Sequence, residues 1–221
     1  MASTPAGSCT PPSVFTRRRV LQAGALGTLA GVATSPLLGH ALAASNDTAE
    51  LLRKGGVVVA FRHALAPGTF DPPNFKLGDC STQRNLSAEG REQARRMGAW
   101  FAAQGLRPEN VRSSPWCRCM DTATLAFGAA QPWEALASPV GSVEATTADR
   151  LALLRTALVQ ATQRPGQFTV WVTHMFVLAD LVGANTGSGE GLVLHADAAG
   201  KPVVLARLSD SDTGAPRPSI R

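Results

Sequence analysis

The sequence lacks most of the features that mark metal sites and repeat architectures. It has 221 residues with only four cysteines, and their spacing does not form the paired clusters of a tetrahedral metal site. There are no internal repeats and no coiled-coil heptads. Tyrosine is absent, which excludes no function. The hydrophobic fraction of 44% is ordinary for a globular protein, so we expect a packed core.

The net charge of +5 comes largely from one short segment. Three of the 21 basic residues stand together at Arg17, Arg18 and Arg19, in a stretch of 43 residues without any acidic side chain. Without these three arginines, 18 basic side chains face 16 acidic ones, a net charge of +2. This balance argues against nucleic acid, or an anionic membrane surface, as a partner.

Residues 1–43 have the pattern of an export signal. A moderately apolar stretch from Val20 to Leu38 follows the arginines, and the segment ends at Ala41-Leu42-Ala43, a spacing of small residues that signal peptidases cleave. The arginine pattern resembles the twin-arginine signal of bacteria. Glycines and a proline interrupt the stretch, which makes it a poor membrane anchor. We expect a mature domain over residues 44–208 and a flexible tail over residues 209–221. The protein would then be periplasmic or secreted, with no stable membrane span after cleavage; the alternative is an uncleaved anchor.

Strand and helix patterns alternate along the mature domain. Strands are predicted at Gly56–Phe61, Asn110–Ser114, Phe168–Thr173, Gly191–His195 and Pro202–Leu208, and helices from Ser87 to about Gln104 and at Met120–Phe127, Ala148–Thr162 and Met175–Val182. This alternation predicts a single-domain α/β fold with a mostly parallel sheet and helices on both faces. Ligands of such sheets bind at the carboxyl ends of the strands.

Basic and imidazole side chains follow three of the predicted strands at that end. Arg62 and His63 end the first strand, Arg118 comes shortly after the second, and His174 follows the third. Arginine offers phosphate oxygens a planar pair of donors, and a neutral imidazole nitrogen can form a covalent phospho-intermediate. Each residue alone is more often structural. Their ordered recurrence favours a phosphoryl-transfer site that needs no metal and no cofactor.

Four stretches of the mature domain form a recognisable series. They are Phe61-Arg62-His63-Ala64, Asn85–Ala94, Ser113–Ala123 and Val172-Thr173-His174. In this order they resemble the motifs of the histidine phosphatase (phosphoglycerate mutase-like) superfamily, and the likeness spans most of residues 55–208. The resemblance implies a phosphoglycerate mutase-like fold and a phosphatase that acts through phosphohistidine.

The resemblance also implies roles for particular residues. His63 would be the phosphorylated nucleophile, while Arg62, Arg118 and His174 would bind the phosphate and stabilise its transition state. Arg84, in the loop before the second stretch, is a weaker candidate for substrate contact, and the alternative is a solvated cation.

Two features depart from the family pattern. Ala64 stands where glycine is usual, and its methyl group could alter the turn after His63. The acid that protonates the leaving oxygen is not evident. In the family this acid often comes from the segment between the second arginine and the second histidine, which here are Arg118 and His174. Glu134, Glu144 and Asp149 lie there, and Glu144 is preferred by spacing alone.

The three cysteines after the leader leave one pairing question open. Cys80 could form a disulfide with Cys117 or with Cys119, which would join the loop after the first strand to the second loop of the site. Neighbouring Cys117 and Cys119 are poorly placed to bond each other.

The function expected from these observations is an exported phosphomonoesterase acting on a small or envelope-linked phosphate ester. A phosphomutase and a non-catalytic phosphate-binding protein of the same fold are the alternatives. The loops over residues 65–83 and 128–147 would determine the substrate. In the first of them Asp71, Lys76 and Asp79 could either contact it or be solvated.

Overall fold

A computed structural model describes residues 47–139, 144–209 and 211–213. The predicted export signal over residues 1–43 lies outside these ranges, as does most of the predicted tail. None of the helices in the described ranges has the length and apolar character needed to cross a bilayer.

Helices and strands alternate as the sequence predicts. The order is α1 (residues 47–54), β1 (Val57–Arg62), α2 (Ala88–Ala103), β2 (Asn110–Ser113), α3 (Cys117–Phe127), β3 (Gln131–Pro132), α4 (Glu144–Thr162), β4 (Phe168–Thr173), α5 (Met175–Val182), β5 (Gly191–Ala196) and β6 (Pro202–Leu208). Helices α3 and α4 begin earlier than predicted. The N-cap of α3 is Trp116, whose side chain makes no capping hydrogen bond, so the sequence carries no start signal there. Helix α1 and the two-residue strand β3 were not predicted.

The six strands form one mixed sheet in the order β3-β2-β4-β1-β5-β6. Strands β3, β2, β4 and β1 are parallel, while β5 runs antiparallel to β1, and β6 antiparallel to β5. The expected mostly parallel sheet is therefore confirmed: of these six strands, β5 alone runs against the others, so the pairings at one side are antiparallel. In the register, Arg62 lies opposite Thr173, and Ser113 opposite Val172, so β1, β2 and β4 end at the same edge.

Strand β1 lies at the centre of the core because both of its faces are covered. Val57, Val59 and Phe61 belong to the cluster that includes apolar side chains of α2 and α3. Val58 and Ala60 belong to the opposite cluster, with side chains of α4 and α5. A run of apolar, largely β-branched residues is what such a position requires, since each buried Val or Phe contributes about 1.5–3 kcal/mol. The rigid strand then presents Arg62 and His63 at its carboxyl end.

Candidate active site

A cavity of about 330 Å³ opens where β1, β2 and β4 end. Five of the predicted site residues line it: Arg62, His63, Arg84, Arg118 and His174. The sixth, Glu144, is the first residue of α4, and its side chain lies outside the described part of the protein. Its role as the acid therefore stays a prediction.

His63 is held as a neutral imidazole. Its side chain is buried, with 2% exposure, and Nδ1 lies 2.8 Å from the carbonyl oxygen of Ala64. Because a carbonyl can only accept, Nδ1 carries the proton and Nε2 keeps its lone pair. Burial, opposed by the hydrogen bond to the Ala64 carbonyl and assisted by the charges of the nearby arginines, lowers the pKa of His63 to about 3. At neutral pH the imidazole is therefore uncharged.

His174 lies beside His63, with 5.6 Å between the ring centroids. Its Nδ1 accepts a hydrogen bond from Arg118 Nη2 at 3.4 Å, so Nε2 carries the proton and donates to Ser114 Oγ at 2.8 Å. Burial holds the pKa of His174 well below its usual value, and the charge of Arg118 adds to this effect. With both nitrogens engaged, His174 orients Arg118 in this structure.

Asp71 holds the other side of the Arg118 guanidinium. Arg118 Nη1 lies 2.8 Å and 3.1 Å from the two carboxylate oxygens. Asp71 also accepts from the backbone N–H of Arg84 at 2.9 Å and from Trp116 Nε1 at 3.3 Å. Sequence reasoning treated Asp71 only as a loop residue of undecided role, because nothing local indicates a partner 47 residues away. Lys76 and Asp79, grouped with it there, are not among the residues that line the cavity.

Three guanidinium groups at the cavity keep unused donors. Arg62 Nη1 donates to the carbonyl of Thr186 at 2.8 Å, and Arg84 Nη1 donates to the carbonyl of Ala66. The Nε atoms of Arg62, Arg84 and Arg118 are buried without a hydrogen-bond partner among the described residues. Burial lowers the pKa of Arg62 and Arg84, and so does the charge of Arg118. Such a cluster is costly unless an anion with several acceptor oxygens binds to it.

The stretch that contains Gly90 and Gln93 supports the backbone that follows His63. Gln93 Oε1 accepts from the N–H of Leu65 at 2.9 Å, and its Nε2 donates to the carbonyl of Ser188 at 2.8 Å. Gly90 is required for close approach, since a Cβ there would lie 2.0 Å from the Leu65 carbonyl oxygen. The physical role of this stretch is to fix the loop that follows His63.

The stretch around Arg118 is tied to the same loop through Thr122. Its Oγ1 accepts from the N–H of Ala64 at 3.0 Å and donates to the carbonyl of Arg118 at 2.7 Å. The Ala64 side chain is fully buried, in a small cluster with Leu86 and Ala94. The methyl group that replaces the usual glycine hydrogen is therefore packed in the core beneath the site.

A disulfide joins Cys80 to Cys117, one of the two pairings left open by the sequence. It connects the loop between β1 and α2 to the first residue of α3, next to Arg118. Cys119 is a free, buried thiol whose Sγ lies 3.5 Å from His174 Nε2. Burial raises the pKa of Cys119 to about 12, so it packs against His174 as an uncharged group.

The other acidic and imidazole candidates lie elsewhere. Glu134 pairs with Arg150 at 3.6 Å, and Asp149 is exposed; neither is among the residues that line the cavity. His195 lies in β5, with Nδ1 3.0 Å from the carbonyl oxygen of Gly56, which is a structural contact. Within the described ranges, no group of three or more His, Cys, Asp or Glu side chains is arranged to hold a metal ion.

One family model matches part of the chain. Residues 79–138 match the family model described as "Histidine phosphatase superfamily (branch 1)". The matched segment contains Arg84 and Arg118, whereas His63 and His174 lie outside it. No curated protein matches the sequence at a significant level.

Solved structures share the fold at low sequence identity. A phosphoserine phosphatase from Entamoeba histolytica, solved with phosphoserine, matches with a TM-score of 0.51 and 13% identity, over 71% of this chain and 98% of that one. The product of an open reading frame of Mycobacterium tuberculosis matches with a TM-score of 0.52 and 15% identity, over 70% of this chain and 98% of that one. An Escherichia coli protein provisionally described as an alpha-ribazole-5'-phosphate phosphatase matches with a TM-score of 0.50 and 15% identity. The match covers 70% of this chain and 96% of that one.

The mixed α/β sheet, flanked by helices, has the phosphoglycerate mutase-like fold of these structures. The match over residues 79–138, together with this fold, supports a relationship to the histidine phosphatase superfamily.

Proposed function

We propose that this protein is a metal-independent phosphomonoesterase that acts through a phosphohistidine on His63. The observation that carries the proposal is a neutral His63, with Nε2 unprotonated, in one cavity with three arginines. A nucleophile with a free lone pair and fixed cations for the phosphate oxygens are the two requirements of covalent phosphoryl transfer.

The reaction would proceed in two displacement steps. His63 Nε2 attacks the phosphorus, and the bond between phosphorus and the ester oxygen breaks, so the alcohol leaves after its oxygen takes a proton. Water then attacks the phosphohistidine, which releases inorganic phosphate and returns His63 to its starting state. Arg62, Arg84 and Arg118 would stabilise the charge on the equatorial phosphate oxygens in both steps.

The proton donor for the leaving oxygen is proposed to be Glu144, on the basis of its position between Arg118 and His174 in the sequence. Without an acid, turnover should depend strongly on the leaving group. Replacing Glu144 with glutamine should therefore slow hydrolysis of alkyl phosphates far more than that of aryl phosphates. Equal effects on the two classes of ester would exclude this role.

The test of the function is phosphate release from an aryl phosphate at about pH 5–7 in the presence of EDTA. His63→Ala should lower the rate roughly a thousandfold or more, because the covalent route is lost. His195→Ala removes a histidine outside the cavity and serves as the matched control. Loss of activity with EDTA, or activity that survives in His63→Ala, would contradict the mechanism.

A non-catalytic phosphate-binding protein is the second candidate. Asp71 is a carboxylate that lines the cavity, but it is already paired with Arg118. Because this pairing makes it a poor proton donor for a leaving oxygen, it favours binding without turnover. Phosphate that binds without any release from esters would identify this function. Transfer of phosphate to an added acceptor alcohol instead of water would identify a phosphomutase.

Export to the periplasm or beyond the cell is part of the same proposal. The disulfide between Cys80 and Cys117 supports it, since disulfides persist in oxidising compartments. Protein recovered from the periplasm or the medium should begin near Ala44, and substitution of Arg17 and Arg18 by lysine should keep it inside the cell. Exported protein that retains residues 1–43 would contradict cleavage.

A further inference from the structure

Away from the arginines, most side chains that line the cavity are aromatic or apolar, and Thr69 and Ser138 add two hydroxyl groups. Six of the aromatic and apolar side chains form what we call the aromatic rim: Phe70, Pro72, Phe75, Trp116, Met175 and Phe176. Phe70 is 68% exposed and Phe176 is 37% exposed, so the rest of the described protein leaves much of both rings uncovered. Large exposed aromatic side chains beside a charged pocket are typical of a binding surface.

The rim begins directly at the phosphate end of the cavity. Trp116 packs edge-on against His174, with 5.4 Å between the ring centroids. Phe75 stacks on Trp116 at 5.4 Å, with an angle of 18° between the planes. The hydrogen bond from Trp116 Nε1 to Asp71 fixes the indole in this orientation. A flat aromatic surface therefore extends outward from the site of phosphoryl transfer.

The charged residues that line the cavity are poorly suited to bind a second anion beside the phosphate. Of the described residues that line it, the charged ones are Arg62, Arg84, Arg118 and Asp71. The three arginines are the groups that would hold the transferred phosphate, and Asp71 repels a further carboxylate or phosphate. The volume of about 330 Å³ is near the lower end for ligand sites, which suits one phosphate and a small ring system.

We infer that the substrate is a phosphate monoester whose alcohol part is planar, aromatic and uncharged. This inference rests on the proposed phosphatase function, because it assigns the partner of the transferred phosphate. The ring would pack against the aromatic rim while the phosphate is bound by the arginines. Aromatic contacts of this kind add selectivity beyond the area that they bury.

Binding of phosphonates tests the inference without turnover, because their carbon–phosphorus bond is not an ester. The dissociation constants of phenylphosphonate, methylphosphonate and 3-phosphonopropionate are measured by titration calorimetry on the purified protein. Phenylphosphonate should bind about tenfold more tightly than methylphosphonate. The extra carboxylate of 3-phosphonopropionate should give no gain over methylphosphonate. Equal binding of the phenyl and methyl compounds, or tightest binding of the carboxylate compound, overturns the inference.

Variants of Phe70 and Phe176 test whether the aromatic rim causes the preference for phenylphosphonate over methylphosphonate. Phe70→Ser and Phe176→Ser should each reduce the phenyl-to-methyl affinity ratio severalfold, while the affinity for methylphosphonate is kept. Both side chains are exposed, so folding should not be affected. Leu205→Ser, at a 45% exposed position in β6, is the matched control and should leave the ratio unchanged. A ratio that is the same in all four proteins overturns the assignment to the rim.

The two proposals fail in different ways. If phosphate release depends on His63 but the phosphonates bind equally, only the substrate class is wrong. If phenylphosphonate binds preferentially but no ester is hydrolysed, the aromatic preference stands and the phosphatase function is wrong. If none of the phosphonates binds and no ester is hydrolysed, both are wrong.

Discussion

The charge state of His63 links the chemistry of the site to the stability of the protein. Folded His63 stays neutral down to its pKa of about 3, whereas a histidine in the unfolded chain takes up a proton near pH 6.5. Between these values the unfolded state binds more protons, so its formation becomes easier as the pH falls. Keeping His63 neutral in the folded state therefore reduces acid stability.

This cost can be measured by urea denaturation between pH 7 and pH 4. The unfolding free energy of the wild type should fall with decreasing pH below about 6.5, and His63 should account for about 1.4 kcal/mol per pH unit in the lower part of this range. His63→Gln should show a correspondingly shallower dependence. Identical slopes for the two proteins would mean that His63 is not buried as a neutral group.

Asp71 provides a second prediction at the scale of single residues. Asp71→Asn removes the negative charge that balances Arg118, which is only 5% exposed. The free energy of unfolding should fall by on the order of 3 kcal/mol, because a buried cation loses its partner. Inorganic phosphate should bind severalfold more tightly, since no carboxylate competes for the guanidinium. Chemical denaturation and phosphate titration measure the two effects.

Asp79→Asn is the control for this prediction. Asp79 lies in the same loop, where its carboxylate accepts from the backbone and the hydroxyl of Ser81. Its replacement should leave phosphate binding unchanged. Weaker phosphate binding in Asp71→Asn than in this control would show that Asp71 holds Arg118 in its binding position.

Among the elements, the start of α2 contacts the loop that follows His63 directly. A methyl group at Gly90 would displace the Leu65 carbonyl and move the loop that leaves His63. Gly90→Ala should therefore destabilise the protein by about 1–3 kcal/mol, despite the better helix propensity of alanine, and should reduce activity. Gly187→Ala is the control, because a Cβ there would make an ordinary contact at 3.6 Å. Thermal unfolding together with phosphate release distinguishes the two variants.

The elements that sequence patterns predicted share a clear physical signal. Strands β1 and β4 are apolar runs buried on both faces, and Ser87 caps α2 with its side chain. Strand β3 has two residues, one of them a proline, and carries no periodicity. Strand β3 forms because it pairs with the edge of β2, and no local sequence pattern indicates such a pairing.

The site residues also divide into those that a local sequence pattern indicates and those that meet only in the folded chain. Arg62, His63 and His174 were predictable because they come directly after strands that the pattern identifies. Asp71 was not, since its loop has no regular structure and its partner Arg118 is distant in the sequence. The aromatic rim was missed for a similar reason: its members come from three separate segments and meet only in the folded chain.

At the scale of the whole molecule, the disulfide between Cys80 and Cys117 closes a loop of 37 residues. Restricting the unfolded chain in this way should stabilise the protein by about 4 kcal/mol. The double variant Cys80→Ser, Cys117→Ser should lose this amount and bind phosphate more weakly, because Arg118 follows the bridge in α3. Denaturation with and without a reducing agent provides the measurement. The reductant should destabilise the wild type and leave the double variant unchanged; an unaffected wild type would contradict the bridge.

The hydrogen bond from His63 to the carbonyl of its own neighbour, Ala64, has a consequence for how such sites diversify. The proton is positioned by the main chain, which every residue type supplies. Substitutions around the histidine can therefore change the ligand while the reactive nitrogen remains available. The hydrogen bond thus places no demand on the side chains of the rim and the loops, whereas the strand that carries the histidine is packed on both faces.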